Sequence, residues 1–284
     1  MTKSKVGIIV DSTAYLPSDL VEQYSIKVIP QILIWGEETY RDDVDIKPTA
    51  FYEMLQQRAD FPKTSQATVQ DFKDAYTTMS ENAAGILAIV ISSDLSGTYN
   101  SATQAKAALP DLNIEIVDSR MTAMGLGFIV LAAARAVEAG KSLEEVTQVA
   151  RDTIDKVGVI FAVNTLEFLH RGGRIGGARR FLGTALNIKP ILHVADGKVE
   201  ALDQVRTRKK SIRFVLDAVA EHVAGHSNVR IASIHAAAPD DAQLLLEAAI
   251  ARFNPVETIM AEVSPVVGAH TGPGTLGLIW CVDV

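Results

Sequence analysis

The sequence predicts an α/β protein of two domains, residues 1–157 and 158–284, with a cleft between them. A length of 284 residues is more than a single core ordinarily takes. In the first half, short β-branched runs alternate with segments of helical spacing, which predicts a mostly parallel sheet with helices on both faces. In the second half, Asp196-Gly197 between two apolar runs predicts a β-hairpin, so we expect a mixed sheet with helices there.

The elements of the first domain follow from these periodicities. Buried strands are predicted at Val6–Val10, Lys27–Ile34, Ile86–Ile91 and Ile114–Val117. Helices are predicted at Pro48–Arg58, Val69–Ser80, Thr98–Ala108 and Thr122–Ala139. The strand pattern starts again near Gly158, and we place the domain boundary there.

The second domain is predicted to open with a strand, a short helix and a glycine-rich loop. These are Val159–Val163, the segment from Thr165, and Gly172–Gly177. The predicted hairpin strands are Pro190–Val194 and Lys198–Asp203, the helices are Lys209–Val223 and Asp240–Phe253, and the remaining strands are Val229–His235, Val256–Glu262 and Leu276–Val282. The two halves are joined without a Pro-rich or Ser-rich linker, so we expect them to pack closely.

Composition excludes several classes of protein. Hydrophobic residues make up 48% of the chain and charged residues 21%, as in folded globular proteins. A net charge of −7 argues against nucleic-acid binding. The single cysteine, Cys281, cannot form an internal disulfide, which fits a reducing compartment. The apolar run Val6–Val10 is too short for a signal peptide, and Ala123–Ala134 is too short for a membrane span. We therefore expect a cytoplasmic protein without a membrane span.

Hydroxyl-rich segments are predicted near the carboxyl ends of strands, where ligands of parallel sheets bind. They are Asp11-Ser12-Thr13, Ser92–Thr98 and Lys63–Gln66. Each is explained equally well as a helix cap or turn. The three together indicate a polar pocket, and a helix that starts at Ser96-Gly97-Thr98 could accept an anionic group.

A histidine, His270, stands at the head of the glycine-rich turn His270–Thr275. A lone histidine is more often structural, but a tight turn on a rigid scaffold favours a functional role. Ser96 and His270 would form a catalytic triad only if a carboxylate oriented the histidine, and the sequence identifies none.

Motifs of other site classes are weak or missing. The sequence contains neither a G-x-S-x-G elbow nor a P-loop. His222 and His226 lack a third metal ligand. The acidic residues Asp42, Asp43 and Asp45 could hold Mg²⁺, although a solvated loop explains them more simply. We therefore expect no catalytic set, no metal and no cofactor.

The order and spacing of these motifs resemble those of the DegV family, the bacterial fatty-acid-binding proteins that act as substrate-carrying subunits of fatty acid kinase. The resemblance covers essentially the whole chain. It is carried by Val10–Thr13, Thr64-Ser65-Gln66, Ser93–Tyr99, Val117–Arg120, Thr165-Leu166 through Gly172–Ile175, Lys189–Leu192 and His270–Gly274. One departure is Ala67, where the family often has proline after Thr-Ser-Gln.

The resemblance implies a long-chain fatty acid in a tunnel between the two domains. Its carboxylate would be met by Thr64, Ser96 and His270, with Ser65 and the backbone N–H of Gly97 as neighbours. The resemblance also implies an ATP-dependent fatty acid kinase subunit as partner, which phosphorylates the bound acid to an acyl phosphate for phospholipid synthesis. This chain would then be a lipid-binding carrier and not itself an enzyme.

Basic residues on this acidic chain are candidates for kinase docking, chiefly Arg171, Arg174 and Arg206, although an ordinary solvated face explains them as well. Two other hypotheses remain open from the sequence. One is a Ser-dependent hydrolase or acyltransferase that acts on acyl substrates through Ser96 and His270. The other is a purely regulatory interaction protein, which predicts an empty or closed domain interface.

Overall fold

The computed structural model of the protein describes residues 5–183 and 188–284. The strands are β1 (Lys5–Asp11), β2 (Lys27–Ile29), β3 (Ile32–Trp35), β4 (Glu38–Arg41), β5 (Lys63–Ser65), β6 (Ala83–Val90), β7 (Ile114–Asp118), β8 (Val157–Ala162), β9 (Lys189–Ala195), β10 (Lys198–Val205), β11 (Val229–His235), β12 (Glu257–Glu262) and β13 (Leu276–Val282). The helices are α1 (Ser18–Gln23), α2 (Pro48–Gln57), α3 (Val69–Ser80), α4 (Thr98–Ala107), α5 (Ala123–Glu138), α6 (Leu143–Ile154), α7 (Glu167–Arg171), α8 (Arg208–Val223), α9 (Pro239–Phe253) and α10 (Pro265–Thr271).

The N-terminal sheet is wholly parallel, in the order β2-β1-β6-β7. Alternate side chains of its strands face opposite layers, as the pleat requires. Ile9 and Ile86 pack in one core cluster with residues of α3 and α4, whereas Ile8 and Leu87 pack in another with residues of α5 and α6. Helices therefore cover both faces, which confirms the predicted class of the first half.

The C-terminal sheet has six strands in the order β10-β9-β8-β13-β11-β12. Strands β11 and β12 are parallel and the other neighbours are antiparallel, so the sheet is mixed as predicted. The hairpin turns at Asp196-Gly197 as its sequence indicates.

Helices α8 and α9 cover one face of the C-terminal sheet. Helix α5 contacts both this sheet and the N-terminal sheet. Nearly all residues of α5 are buried, because an apolar helix of this kind needs partners all round.

A third sheet, β4-β3-β5, is antiparallel and was not predicted. The single strand predicted at Lys27–Ile34 is wrong, because β2 pairs with β1 whereas β3 joins the small sheet. Pro30, which has no backbone N–H, lies at the break. The change of sheet brings β5, and with it Thr64 and Ser65, to the space between the two larger sheets.

Three helices also differ from the prediction. Helices α1 and α6 were missed, although Ser142 and Glu145 form a capping box at the start of α6. The segment that contains His270 is not simply a glycine-rich turn, because helix α10 runs through Thr271 and ends at Gly272. Gly272 has a φ of +76°, and a Cβ atom there would collide with Phe168.

The strands before residue 157 form the parallel and the small sheets, and β8 to β13 form the mixed sheet. The boundary between residues 157 and 158 stays a prediction. Residues 1–4 and 184–187, which fall within the two predicted domains, lie outside the described residues. None of the helices in the described ranges is both long and apolar enough to cross a lipid bilayer.

Candidate functional site

A cavity lies between the N-terminal and C-terminal sheets. It encloses about 860 Å³ of space that protein atoms do not fill, part of it open to solvent. Its walls are mostly apolar and come from both halves of the chain. They include Ile91 and Leu95 from the first half and Phe161, Val194, Ile234 and Val266 from the second. Of the two kinds of interface that the regulatory hypothesis predicts, empty or closed, the closed one does not fit this cavity.

The cavity has a polar end where Thr64 and His270 meet. Thr64 lies on β5, which pairs with β3, and His270 lies in the last turn of α10. Thr64 Oγ1 and His270 Nε2 are 2.7 Å apart, which is hydrogen-bond distance. These two residues are 206 positions apart in the sequence. The polar end therefore exists only when both halves of the chain are folded and packed.

Burial keeps His270 neutral. Desolvation lowers the pKa of His270 to about 4, and the positive charge of Arg174 adds to this effect. The other ring nitrogen, Nδ1, is buried and has no hydrogen-bond partner among the described residues. A Cβ atom at Gly172 would lie 2.0 Å from Nδ1, so a larger residue at Gly172 would displace the ring. Glycine is thus required for the close approach of α7 to α10.

Arg174 lies beside the polar end of the cavity. Its Nε donates to the carbonyl of Leu95 at 3.0 Å, and its Nη1 donates to the carbonyl of Gly172 at 2.9 Å. The side chain therefore crosses from the C-terminal half to the loop that carries Ser96. It also lines the cavity. A permanent cation here favours an anionic group on a bound ligand.

Ser96 approaches the cavity from the N-terminal half. Its Oγ lies 2.9 Å from Thr98 Oγ1 and donates to Gln31 Oε1 at 3.4 Å. The amide of Gln31 in turn donates to Asp11 Oδ1 at 3.1 Å. Asp11 is fully buried, and desolvation raises its pKa. Ser96 is therefore held in a polar network that continues into the parallel sheet.

The predicted carboxylate-binding residues fall into two groups. Thr64, Ser65, Ser96 and His270 all line the cavity. Gly97 lies outside that lining, is exposed, and precedes α4 with Gln66 against it. The roles of all five stay predictions.

The predicted docking residues differ in position. Arg171 is exposed, pairs with Glu167 at 2.7 Å and lies over the ring of Phe61. Arg206 is exposed between β10 and α8. Arg174 lies in the cavity wall instead.

Sequence reasoning missed two contributors to the site. Gln31 was assigned to the interior of a strand, although its neighbour Pro30 marked a break. Asp42 was interpreted as part of a solvated loop or a weak Mg²⁺ site, whereas it is 1% exposed. The structure pairs Asp43 with Lys47 and Asp45 with Arg41. Within residues 5–183 and 188–284, no group of three or more His, Cys, Asp or Glu side chains could hold a metal ion.

The hydrolase alternative required Ser96 to hydrogen-bond to His270. Ser96 contacts Thr98 and Gln31, and His270 contacts Thr64. No carboxylate in the described part of the chain contacts Nδ1 of His270. The geometry therefore does not assemble a nucleophile, a base and an orienting acid.

The fold and the site define an α/β protein that encloses an apolar cavity with a polar end. The chain belongs to the DegV family, whose profile, described as uncharacterised protein of the DegV family, matches residues 5–283. A DegV domain-containing protein of Streptomyces coelicolor is 37% identical over 276 residues, which is 96% of this chain and 97% of that protein.

Two solved structures share the fold. The first, described as fatty acid binding of a DegV family protein from Thermus thermophilus, has a TM-score of 0.94 and 35% identity, and covers 98% of this chain and 100% of that one. The second, DegV from Bacillus subtilis, described as a fatty acid binding protein, has a TM-score of 0.91 and 31% identity, and covers 99% of this chain and 100% of that one.

Proposed function

We propose that this protein binds a long-chain fatty acid in its cavity, with the carboxylate at the end formed by Thr64, Ser65, Ser96 and His270. The proposal depends on one observation: the Thr64–His270 contact lies in the wall of a mostly apolar cavity, and Arg174 lines the cavity beside it. The fatty acid binding described for the Thermus thermophilus and Bacillus subtilis relatives supports it.

The apolar walls account for affinity and the polar end for orientation. Transfer of a sixteen-carbon tail out of water contributes on the order of 10 kcal/mol at ~0.8 kcal/mol per methylene, before the costs of association. A carboxylate placed among apolar side chains without partners loses several kcal/mol. The end near Thr64 combines hydrogen-bond donors with the positive charge of Arg174, which favours binding of the acid with its head there.

The polar end is chemically suited to a carboxylate. The Thr64 hydroxyl donates, and a neutral imidazole donates from one of its nitrogens. A bound carboxylate next to His270 favours the protonated imidazole and raises its pKa from about 4. The head group is then held by a charge-assisted hydrogen bond, which is stronger than a neutral one.

We further propose that the protein presents this carboxylate to an ATP-dependent fatty acid kinase subunit in the cytoplasm, and that phosphorylation to an acyl phosphate takes place on that partner. The position of the polar end supports this. Gly172 packs against His270, and its neighbours Arg171 and Gly173 are both exposed. Arg208, two residues after Arg206, donates to the carbonyl of Gly274 in the turn that follows α10. The head group thus lies close beneath a surface with basic side chains.

Extraction of the purified protein tests the binding function. After denaturation with organic solvent, mass spectrometry should find about one long-chain fatty acid per protein molecule. Protein exposed to a fatty acid mixture and still free of acyl chains would refute the proposal.

The kinase step is tested separately with the kinase subunit, ATP and loaded protein. Arg171→Ala and Arg206→Ala should slow phosphorylation without changing acid binding, whereas the exposed Arg151→Ala on α6 should not. Equal rates for all three would refute docking at this surface.

A further inference from the structure

Helix α10, which carries His270, has only seven residues. A helix this short is unstable by itself, and its position depends on contacts with the rest of the protein. Its own N-cap residue, Ser264, makes no side-chain hydrogen bond to the first turn. Instead the backbone N–H of Val266 donates to Oδ1 of Asp42 at 3.1 Å. The start of α10 is therefore capped by a carboxylate from the other half of the chain, 224 residues away.

Asp42 is itself held firmly in the N-terminal half. Its backbone N–H donates to the carbonyl of Gln31 at 2.8 Å. The hydroxyl of Ser12 donates to Asp42 Oδ2 at 2.6 Å and accepts from the backbone N–H of Gln31 at 3.1 Å. Both carboxylate oxygens are thus used, one toward Ser12 and one toward α10. Asp42 is buried at 1% exposure, so these contacts are shielded from water.

The segment that anchors Asp42 also positions Thr64. Gln31 immediately precedes β3, and β3 pairs with β5 so that Leu33 lies opposite Thr64. Asp42 is therefore connected to Thr64 through Gln31 and the β3–β5 pair, and to His270 through Val266 and helix α10. The two sides of the 2.7 Å contact at the polar end of the cavity are thus connected through the Asp42 carboxylate, in addition to the direct packing of α10 on β3 and β5.

We propose that Asp42 is a positioning residue that holds His270 opposite Thr64 and thereby forms the carboxylate end of the cavity. The role of Asp42 in ligand binding rests on the proposed function, fatty-acid binding in the cavity. Asp42 does not contact the ligand. It acts through α10. Its loss separates the head-group partners and shifts Val266, whereas the apolar walls outside α10, such as Ile91 and Phe161, stay in place.

The test compares Asp42→Ala with Asp42→Asn, in which an amide oxygen can still accept from Val266 but the charge is gone. Asp45→Ala is the matched control, because Asp45 lies in the same segment and pairs with Arg41 near the surface. The first measurement is the pKa of His270 in delipidated protein, followed by NMR of the imidazole. In wild type it should titrate near pH 4. In Asp42→Ala it should rise by at least about one unit toward 6.5, because the displaced ring becomes hydrated.

The second measurement is binding of palmitate and of 1-hexadecanol, which has the same tail without a carboxylate. Asp42→Ala should weaken palmitate binding about tenfold, the size of one lost charge-assisted hydrogen bond, and hexadecanol binding clearly less, because only the part of the apolar wall on α10 moves. Asp42→Asn should lie between Asp42→Ala and wild type, and it serves alone if Asp42→Ala does not fold. Asp45→Ala should match wild type.

Two results would overturn the inference. One is an unchanged His270 pKa together with unchanged palmitate affinity in both Asp42 variants. The other is an equal loss for palmitate and hexadecanol, which would give Asp42 a structural role without head-group specificity. If wild type binds neither ligand, the proposed function fails, whereas the NMR measurement still decides whether Asp42 positions His270.

Discussion

Replacement of Thr64 by valine tests the head-group assignment with little change in shape. The substitution removes the hydroxyl that lies 2.7 Å from His270 Nε2 and leaves the backbone pairing of β5 with β3 intact. A hydrogen bond to a charged group contributes about 1.5–3 kcal/mol, so we expect Thr64→Val to weaken palmitate binding at least about tenfold. Hexadecanol binding should change little, because the tail cavity is unaltered.

The same substitution has a consequence in the ligand-free protein. His270 Nδ1 already lacks a partner among the described residues, and Thr64→Val removes the partner of Nε2 as well. Unfolding in urea should therefore show a loss of about 1 kcal/mol. The matched control is Thr147→Val, since Thr147 is buried on α6, outside the cavity lining, and its hydroxyl has no hydrogen-bond partner among the described residues. It should leave both affinities unchanged. Equal palmitate affinity in Thr64→Val and wild type would refute the assignment.

Three further predictions concern the packing of Gly172 against His270, the protonation of His270 and the space available to the alkyl tail. Gly172→Ala places a Cβ atom 2.0 Å from His270 Nδ1, so palmitate affinity measured by calorimetry should fall by about tenfold, and wild-type affinity would contradict the packing. Because the His270 pKa of about 4 lies below its ordinary 6.5, the unfolded chain binds more protons between these values, and stability is lost as pH falls through this window. The stability difference between wild type and His270→Gln should therefore shrink by up to about 3 kcal/mol from pH 7 to pH 4 in urea titrations, and a pH-independent difference would contradict it. Val194→Phe adds a larger side chain to the apolar wall and narrows the cavity. In a competition assay the preference for shorter acids over longer ones should rise several-fold, whereas an unchanged preference would place the tail elsewhere.

Much of the fold was predictable because the spacing of apolar residues along the sequence matches the pattern of buried residues in the structure. The strands Val229–His235 and Leu276–Val282 match the predicted ranges, since both are almost fully buried in the interior of a sheet and Leu276–Val282 is a continuous apolar run. The hairpin at Asp196-Gly197 follows from turn chemistry that is local to a few residues. The strands of three to four residues at β4 and β5 carry too little periodicity to be recognised, and their pairing is decided by tertiary contacts.

The sequence identified four residues that line the cavity, but not the contacts that connect them. Thr64, Ser96 and His270 stood out through hydroxyl-rich segments, a glycine-rich turn and a family resemblance. The burial of Asp42 did not stand out, because acidic residues in a loop ordinarily face water. Its partners Ser12 and Val266 come from distant parts of the chain, and no local pattern records such a contact.

The most direct test of the account is an experimental structure of the protein loaded with palmitate. We predict electron density for the alkyl chain between Ile91 and Phe161, with a carboxylate oxygen at about 2.6–3.2 Å from Thr64 Oγ1 or His270 Nε2. Density for the acid outside this cavity, or with the carboxylate at the opposite end, would contradict the account.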